Sequence, residues 1–126
     1  MQNPTVRDKV TMLNEAFNSQ NEQPFKDLVD DNVVFTFVPK TGDPVVKNGK
    51  QNYLAHLRQS WKDLQNPQSQ NPSVTVQSVG NLSKAIVTYE SSYTPPNQKA
   101  KKTDPDTSVM YFNADGKLID ITLLTR

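Results

Sequence analysis

The stretch from residue 108 to 125, SVMYFNADGKLIDITLLT, carries apolar side chains on both faces of two successive strands. Side chains alternate between the faces of a strand. Val109 and Tyr111 therefore share one face, and Met110 and Phe112 the other. In the next run Leu118, Asp120, Thr122 and Leu124 share a face, opposite Ile119, Ile121 and Leu123. Asn113-Ala114-Asp115-Gly116 joins the two as a turn, with Gly116 suited to its left-handed position. A hairpin with one wet face alternates apolar and polar residues. This one does not, so both of its faces need cover.

Two amphipathic stretches supply cover for one face. In residues 5–21 Thr5 is the expected N-cap, and Asp8 completes a weaker form of the capping box. Val6, Val10, Leu13 and Phe17 follow at helical spacing as one apolar stripe. In residues 48–64 Asn48 is the expected N-cap, and Leu54, Leu57, Trp61 and Leu64 form the stripe. Tyr53 and His56 flank it. Between these helices Pro24 opens a short helix with Phe25, Leu28 and Val29 inward. Residues 30–32 read as a turn, and the β-branched and aromatic run 33–38 as a strand ended by Pro39. Residues 40–47 read as a loop or short hairpin, and QNPQSQNP, residues 65–72, as a loop. Strands are expected over 74–79, 85–93, 108–112 and 118–125. The connection 94–107 holds Lys99, Lys101 and Lys102, then Asp104 and Asp106, and reads as a solvated hairpin loop.

Helix, short helix, strand, helix and then a strand meander make an α+β fold. At 126 residues the whole chain, 1–126, is expected to be one domain with its own core. Two long helices cover only one face of the sheet. The other face most economically meets a second subunit, which predicts a homodimer through the sheet.

Composition removes several classes of function. There is no cysteine and only one histidine, which excludes disulfides, thiolate metal sites and multi-histidine metal centres. No spaced acidic loop favours calcium, so no metal or other cofactor is expected. Fourteen basic and 13 acidic residues give a formal charge of +1. That balance offers no footprint for nucleic acid or an anionic membrane. No apolar stretch is long enough to span a bilayer, and residues 1–9 lack a signal-peptide core. The expected location is cytoplasmic.

Three stretches carry a resemblance: LNEAFNSQNEQPFKDLVDDNVVFTF, NGKQNYLAHL and MYFNADGKLIDITLL. Together they make nearly the whole chain similar to the nuclear transport factor 2-like superfamily, and within it to the SnoaL-like or ketosteroid-isomerase-like group. The resemblance implies a cone: a curved, antiparallel-rich sheet wrapped around two long helices and one short helix, enclosing an apolar pocket. It implies a dimer, as in many members. It implies either a pocket that binds a small apolar molecule or an enzyme. The enzyme would be a cyclase, isomerase or dehydratase using a pocket carboxylate for proton transfer. Two departures weigh toward the binding protein. The family's isomerase base lies near the end of the first strand, where this chain reads Phe35-Thr36-Phe37-Val38-Pro39 with no acid; Asp43 comes later, in a loop. The family's first-helix tyrosine is also absent, with Leu13 and Phe17 at the nearby positions. Nor is the Asp–Arg–Asp set of the epoxide-hydrolase relatives matched, since none of Arg7, Arg58 and Arg126 is mid-strand.

The candidates for chemistry follow from residue type and place. Asp120 interrupts an apolar strand, so it is a pocket acid, or else a solvated or lysine-paired edge residue. Glu90 is the second acid within a strand; it pairs with Asp120 if they share a face and register, and otherwise belongs to a solvated face. His56 titrates near neutrality and flanks the stripe of the second long helix, as a pocket acid/base or a surface residue. Phe17, Phe35, Phe37, Tyr53, Leu57, Trp61, Tyr89 and Tyr111 are the expected ligand contacts, with ordinary core packing as the alternative.

Overall fold

Thr5 sets the start of the first helix. The computed structural model describes residues 5–95 and 97–125; the opening of the polar N-terminal stretch (1–4), Pro96 and Arg126 lie outside the described residues. Thr5 Oγ1 accepts from the Asp8 backbone N–H at 3.1 Å, and Asp8 Oδ2 accepts from the Thr5 N–H at 3.0 Å. This reciprocal capping box opens α1 (Val6–Asn18), which ends three residues earlier than the polar pattern predicts. Val10, Leu13 and Ala16 form its buried face. The short helix α2 (Gln23–Leu28) has Pro24 in its first turn and buries Phe25. The second long helix α3 (Lys50–Asp63) is capped by Gly49 rather than Asn48. Gly49 has φ 91°, a conformation that favours glycine, and Asn48 instead ends a strand.

Six strands form one mixed sheet: β1 (Val29–Val38), β2 (Val45–Asn48), β3 (Gln65–Val79), β4 (Leu82–Thr94), β5 (Lys102–Phe112) and β6 (Leu118–Thr125). Their order is β2-β1-β6-β5-β4-β3, with β2 and β3 as the edges. β1 lies parallel to β6, and the other neighbours are antiparallel. α3 packs on β1 and on both edge strands, and α1 on β3 and β4, so the sheet curls round the helices. The core lies in that hollow, where Leu54, Phe112 and Leu118 are at most 1% exposed. Among the described residues no helix is long and apolar enough to cross a membrane.

Two predicted loops are strand, and both corrections bear on the site. Residues 65–72 open β3. β3 is an edge, and Pro67 and Pro72, which lack N–H groups, fall where its ladder with β4 is interrupted. Asn66 and Asn71 take positive φ, and the register with β4 shifts at each. The amide of Asn18 then replaces the outer strand partner: its Oδ1 accepts from Ser69 N–H at 2.6 Å and its Nδ2 donates to Ser69 O at 3.0 Å. These bonds outweigh the poor strand propensity of the segment. The second correction is β5, which begins at Lys102 instead of Ser108 and so takes Asp104 and Asp106 into the sheet.

Candidate functional site

Between α1, α3 and the concave face of the sheet lies a cavity of about 500 Å³. Its inner wall is apolar: Val10 and Leu13 from α1, Phe25 from α2, Leu57 from α3, and Val87 and Ile121 from the sheet. Aromatic rings continue the wall. Phe35 stacks on Tyr53 with centroids 5.1 Å apart, and the His56 ring, one turn further along α3, lies 4.7 Å from Phe35.

One side of the cavity is polar, because β4 and β5 carry hydroxyls and acids at alternate positions. Tyr89 and Asp106 face each other across the ladder, as do Ser91 and Asp104. The side chains bond diagonally, each to the β5 residue two places on. Tyr89 OH lies 3.1 Å from Ser108 Oγ, Ser91 Oγ donates to Asp106, and Tyr93 OH donates to Asp104 at 2.9 Å. Asp106 is 6% exposed, although it is charged at neutral pH in its ordinary form. Ser92, beside this ladder, also lines the cavity; it is 1% exposed and its Oγ makes no hydrogen bond among the described residues.

Burial governs the titration of this group. It pushes Tyr89 up to about 12; the Ser108 hydrogen bond opposes the shift and the Asp106 charge adds to it. Tyr53 moves up too, by burial and then by its proximity to Tyr89. Burial lowers His56, and the Lys47 charge nearby lowers it further, so its imidazole is neutral at pH 7. The tyrosines predict an alkaline limit on stability. Their unfolded forms ionise near pH 10 while the folded forms hold their protons. The stability they confer is complete below about pH 10 and is lost as pH rises toward about 12. Urea midpoints at pH 9, 10 and 11 are expected to fall along that series, and Tyr89→Phe is expected to flatten the decline.

The expected contacts divide. Phe17, Phe35, Phe37, Tyr53, Leu57 and Tyr89 line the cavity, and so does His56, which also borders a shallow polar groove beside Lys47 and Asn52. Trp61 is not in the lining: its ring packs on Phe17 and Phe25, and its indole N–H donates to Phe17 O at 3.1 Å. Tyr111 is on the outer face, with Lys84 Nζ 5.8 Å from its ring centroid.

Asp120 also stands on that outer face. Ile121, Leu123 and Thr125 line the cavity, and alternation turns Asp120 away from it. It is register partner to Val34 and Tyr111. Partial burial there still raises its carboxyl above the ordinary value. Glu90 is exposed, and its carboxylate lies 3.5 Å from Asn71 Nδ2. Tyr111, next to Asp120, pairs with Lys84 on β4, and Glu90 lies six residues further along that strand. Some 20 Å of strand, roughly, separates the two acids, so they form no pair. The acids in the cavity are Asp104 and Asp106, with Asp63 at the C-terminal end of α3. Asp104, Asp106, Ser108 and Met110 continue one alternating face back from the recognised strand, and that period was the available signal. Among the described residues no group of three His, Cys, Asp or Glu side chains is placed to hold a metal.

No protein-family model matches the chain, and no curated protein matches it by sequence. Solved structures do match. An NTF2-like protein of unknown function from Burkholderia pseudomallei superposes with a TM-score of 0.77 at 16% identity, over 96% of this chain and 90% of the other. A candidate polyketide cyclase from Xanthomonas campestris gives 0.74 at 15% identity, over 96% and 90%. A candidate SnoaL-like polyketide cyclase from Shewanella denitrificans gives 0.71 at 16% identity, over 98% and 92%. At such identities the likeness establishes the fold and leaves activity open.

Proposed function

The chain has the nuclear transport factor 2-like cone fold, and we propose that it binds a small, largely apolar molecule in its cavity. The observation that carries this reading is the division of the lining. Apolar and aromatic side chains make the inner wall, and a few convergent hydroxyls and carboxylates stand on one side. Such a division orients a ligand by its polar end while burial of the rest supplies affinity. A thermal-shift screen of steroids, polyketide fragments and fatty acids tests it, since a ligand of the folded state raises the melting temperature. A concentration-dependent rise with one class is expected; a flat response across all three contradicts the reading.

The proposed assembly is a dimer through the outer face of the sheet. Val34, Ile86, Val109, Tyr111 and Leu124 give that face an apolar patch and are only half-buried in the single chain. Sedimentation at micromolar concentration is expected to give twice the 14.2 kDa chain mass. The mass of one chain would overturn the dimer.

A second reading has one specific observation in its favour. Asp106 is a buried carboxylate within the cavity, next to the Tyr89 and Ser108 hydroxyls. A carboxylate base with hydroxyl donors nearby suits proton transfer beside a carbonyl, in a cyclase, isomerase or dehydratase. For any substrate that turns over, Asp106→Asn is expected to lower kcat at least about a hundredfold. An unchanged kcat would remove Asp106 as the base.

A further inference from the structure

We propose that the ligand is an amphiphilic carboxylic acid, its apolar body in the cavity and its carboxylate in the adjoining polar groove beside Lys47 and His56. The inference rests on the cavity being a ligand site and names the class of its occupant.

The groove and the cavity adjoin. His56 and Gln59, one turn apart on α3, line both. Lys47 lines the groove from the edge strand β2. Its register partner on β1 is Phe35, and directly paired residues share a face of the sheet. Phe35 lines the cavity, so Lys47 projects from the concave face. The His56 ring lies 4.7 Å from the same Phe35, and the Lys47 charge is close enough to act on it.

Charge selects the head group. No acid lines the groove, and the half-buried Lys47 makes no ion pair among the described residues. Lys26, Lys40 and Lys50, by contrast, each have a carboxylate partner in Glu22, Asp104 and Asp31. Donors surround Lys47. Asn52 Nδ2 donates to Asn48 O at 2.8 Å and Gln59 Nε2 to Asp63 at 2.7 Å, which leaves each amide a second N–H. The neutral His56 imidazole carries one more. Amides serve any polar head, but the uncompensated cation selects a negative one. One cation balances one negative charge, which suits a carboxylate better than a dianionic phosphate. An ammonium head would meet Lys47 as a like charge. The cavity acids do not oppose this placement. Phe35 pairs through Ile121 with Met110, and Asp106 stands four residues back along β5. By strand spacing and rise Asp106 is roughly 15 Å from Phe35, and Asp104 is further still. The head group at the groove is therefore a second polar contact, apart from the hydroxyls of β4 and β5.

A matched pair of ligands tests this: 4-(1-naphthyl)butanoic acid and 4-(1-naphthyl)butan-1-ol, titrated by calorimetry at pH 7. The acid is expected to bind at least about fivefold more tightly than the alcohol, since charge-assisted hydrogen bonds are the stronger kind. In Lys47→Gln that advantage is expected to shrink to about twofold or less, with the alcohol's affinity unchanged. The cavity-filling Val87→Trp is expected to weaken both ligands. An alcohol that binds as tightly as the acid, and is weakened by Val87→Trp, would overturn the inference and leave the cavity reading standing. An acid preference that survives Lys47→Gln would also overturn it, and leave Lys47 as a lysine that blocks strand addition at the edge. Acid affinity unchanged in Val87→Trp would place the acid outside the cavity and overturn the inference. Failure of both ligands to bind would count against both readings. The comparison of acid with alcohol in the wild-type chain stands even if a variant fails to fold.

Discussion

Replacing Phe112 by alanine is expected to cost about 3–5 kcal/mol, measured by urea denaturation. Phe112 is 0% exposed, the last residue of β5, and register partner to Leu118, which is also 0% exposed. Its ring packs where the ladder shifts register beside the terminal turn. Asn113 holds that turn: its Oδ1 accepts from Asp115 N–H at 3.0 Å and Lys117 N–H at 2.9 Å. A void there leaves the β5–β6 hairpin without its anchor. Since β5 carries Asp104, Asp106 and Ser108, loss of this packing reaches the polar side of the cavity. Domains of this kind have about 5–15 kcal/mol in total, so the variant should approach the edge of folding. Phe112→Leu is expected to cost less than half as much. A loss below about 1 kcal/mol for the alanine would show that the site collapses freely and that the hairpin is anchored elsewhere.

Val87→Trp is expected to lower ligand affinity at least about a hundredfold while the chain stays folded. Val87 is 3% exposed and points from the middle of β4 into the cavity wall. An indole at this position occupies the space proposed for the ligand. Overpacking costs typically about 1–3 kcal/mol, but an open cavity takes up part of the added volume, so the lower end is expected. Calorimetry with 2-(1-naphthyl)ethanol as probe, beside a urea curve for the same variant, separates the two effects. Unchanged affinity in a folded variant would mean that ligands do not enter the cavity.

Legibility in the sequence followed the physics of each element. The α1 cap was readable because Thr5 and Asp8 act locally, and the stripe was readable because Val10 and Leu13 obey a helical period. Two-sided apolarity in the final hairpin was readable for the same reason, and so were the aromatic side chains of the cavity wall. The β3 segment was not readable. Its strand is made by Asn18, 51 positions from Ser69, and by an edge location that tolerates proline. Asp104 and Asp106 were hidden by Pro105 between them and by lysines before them, which carry the composition of a loop. Asp120 failed for another reason. Alternation put it opposite Ile121 and Leu123, as the structure has it, but alternation cannot tell which face of a curved sheet is the hollow one.

The most direct measurement follows the methyl resonances of the chain on titration with 2-(1-naphthyl)ethanol. The reporters are Leu57, Val87, Met110, Ile121 and Leu123 inside the cavity, against Ile86, Val109 and Leu124 on the outer face. Saturable shifts confined to the first group are the predicted result. Shifts confined to the outer face, or none in either group, would contradict a ligand-binding cavity.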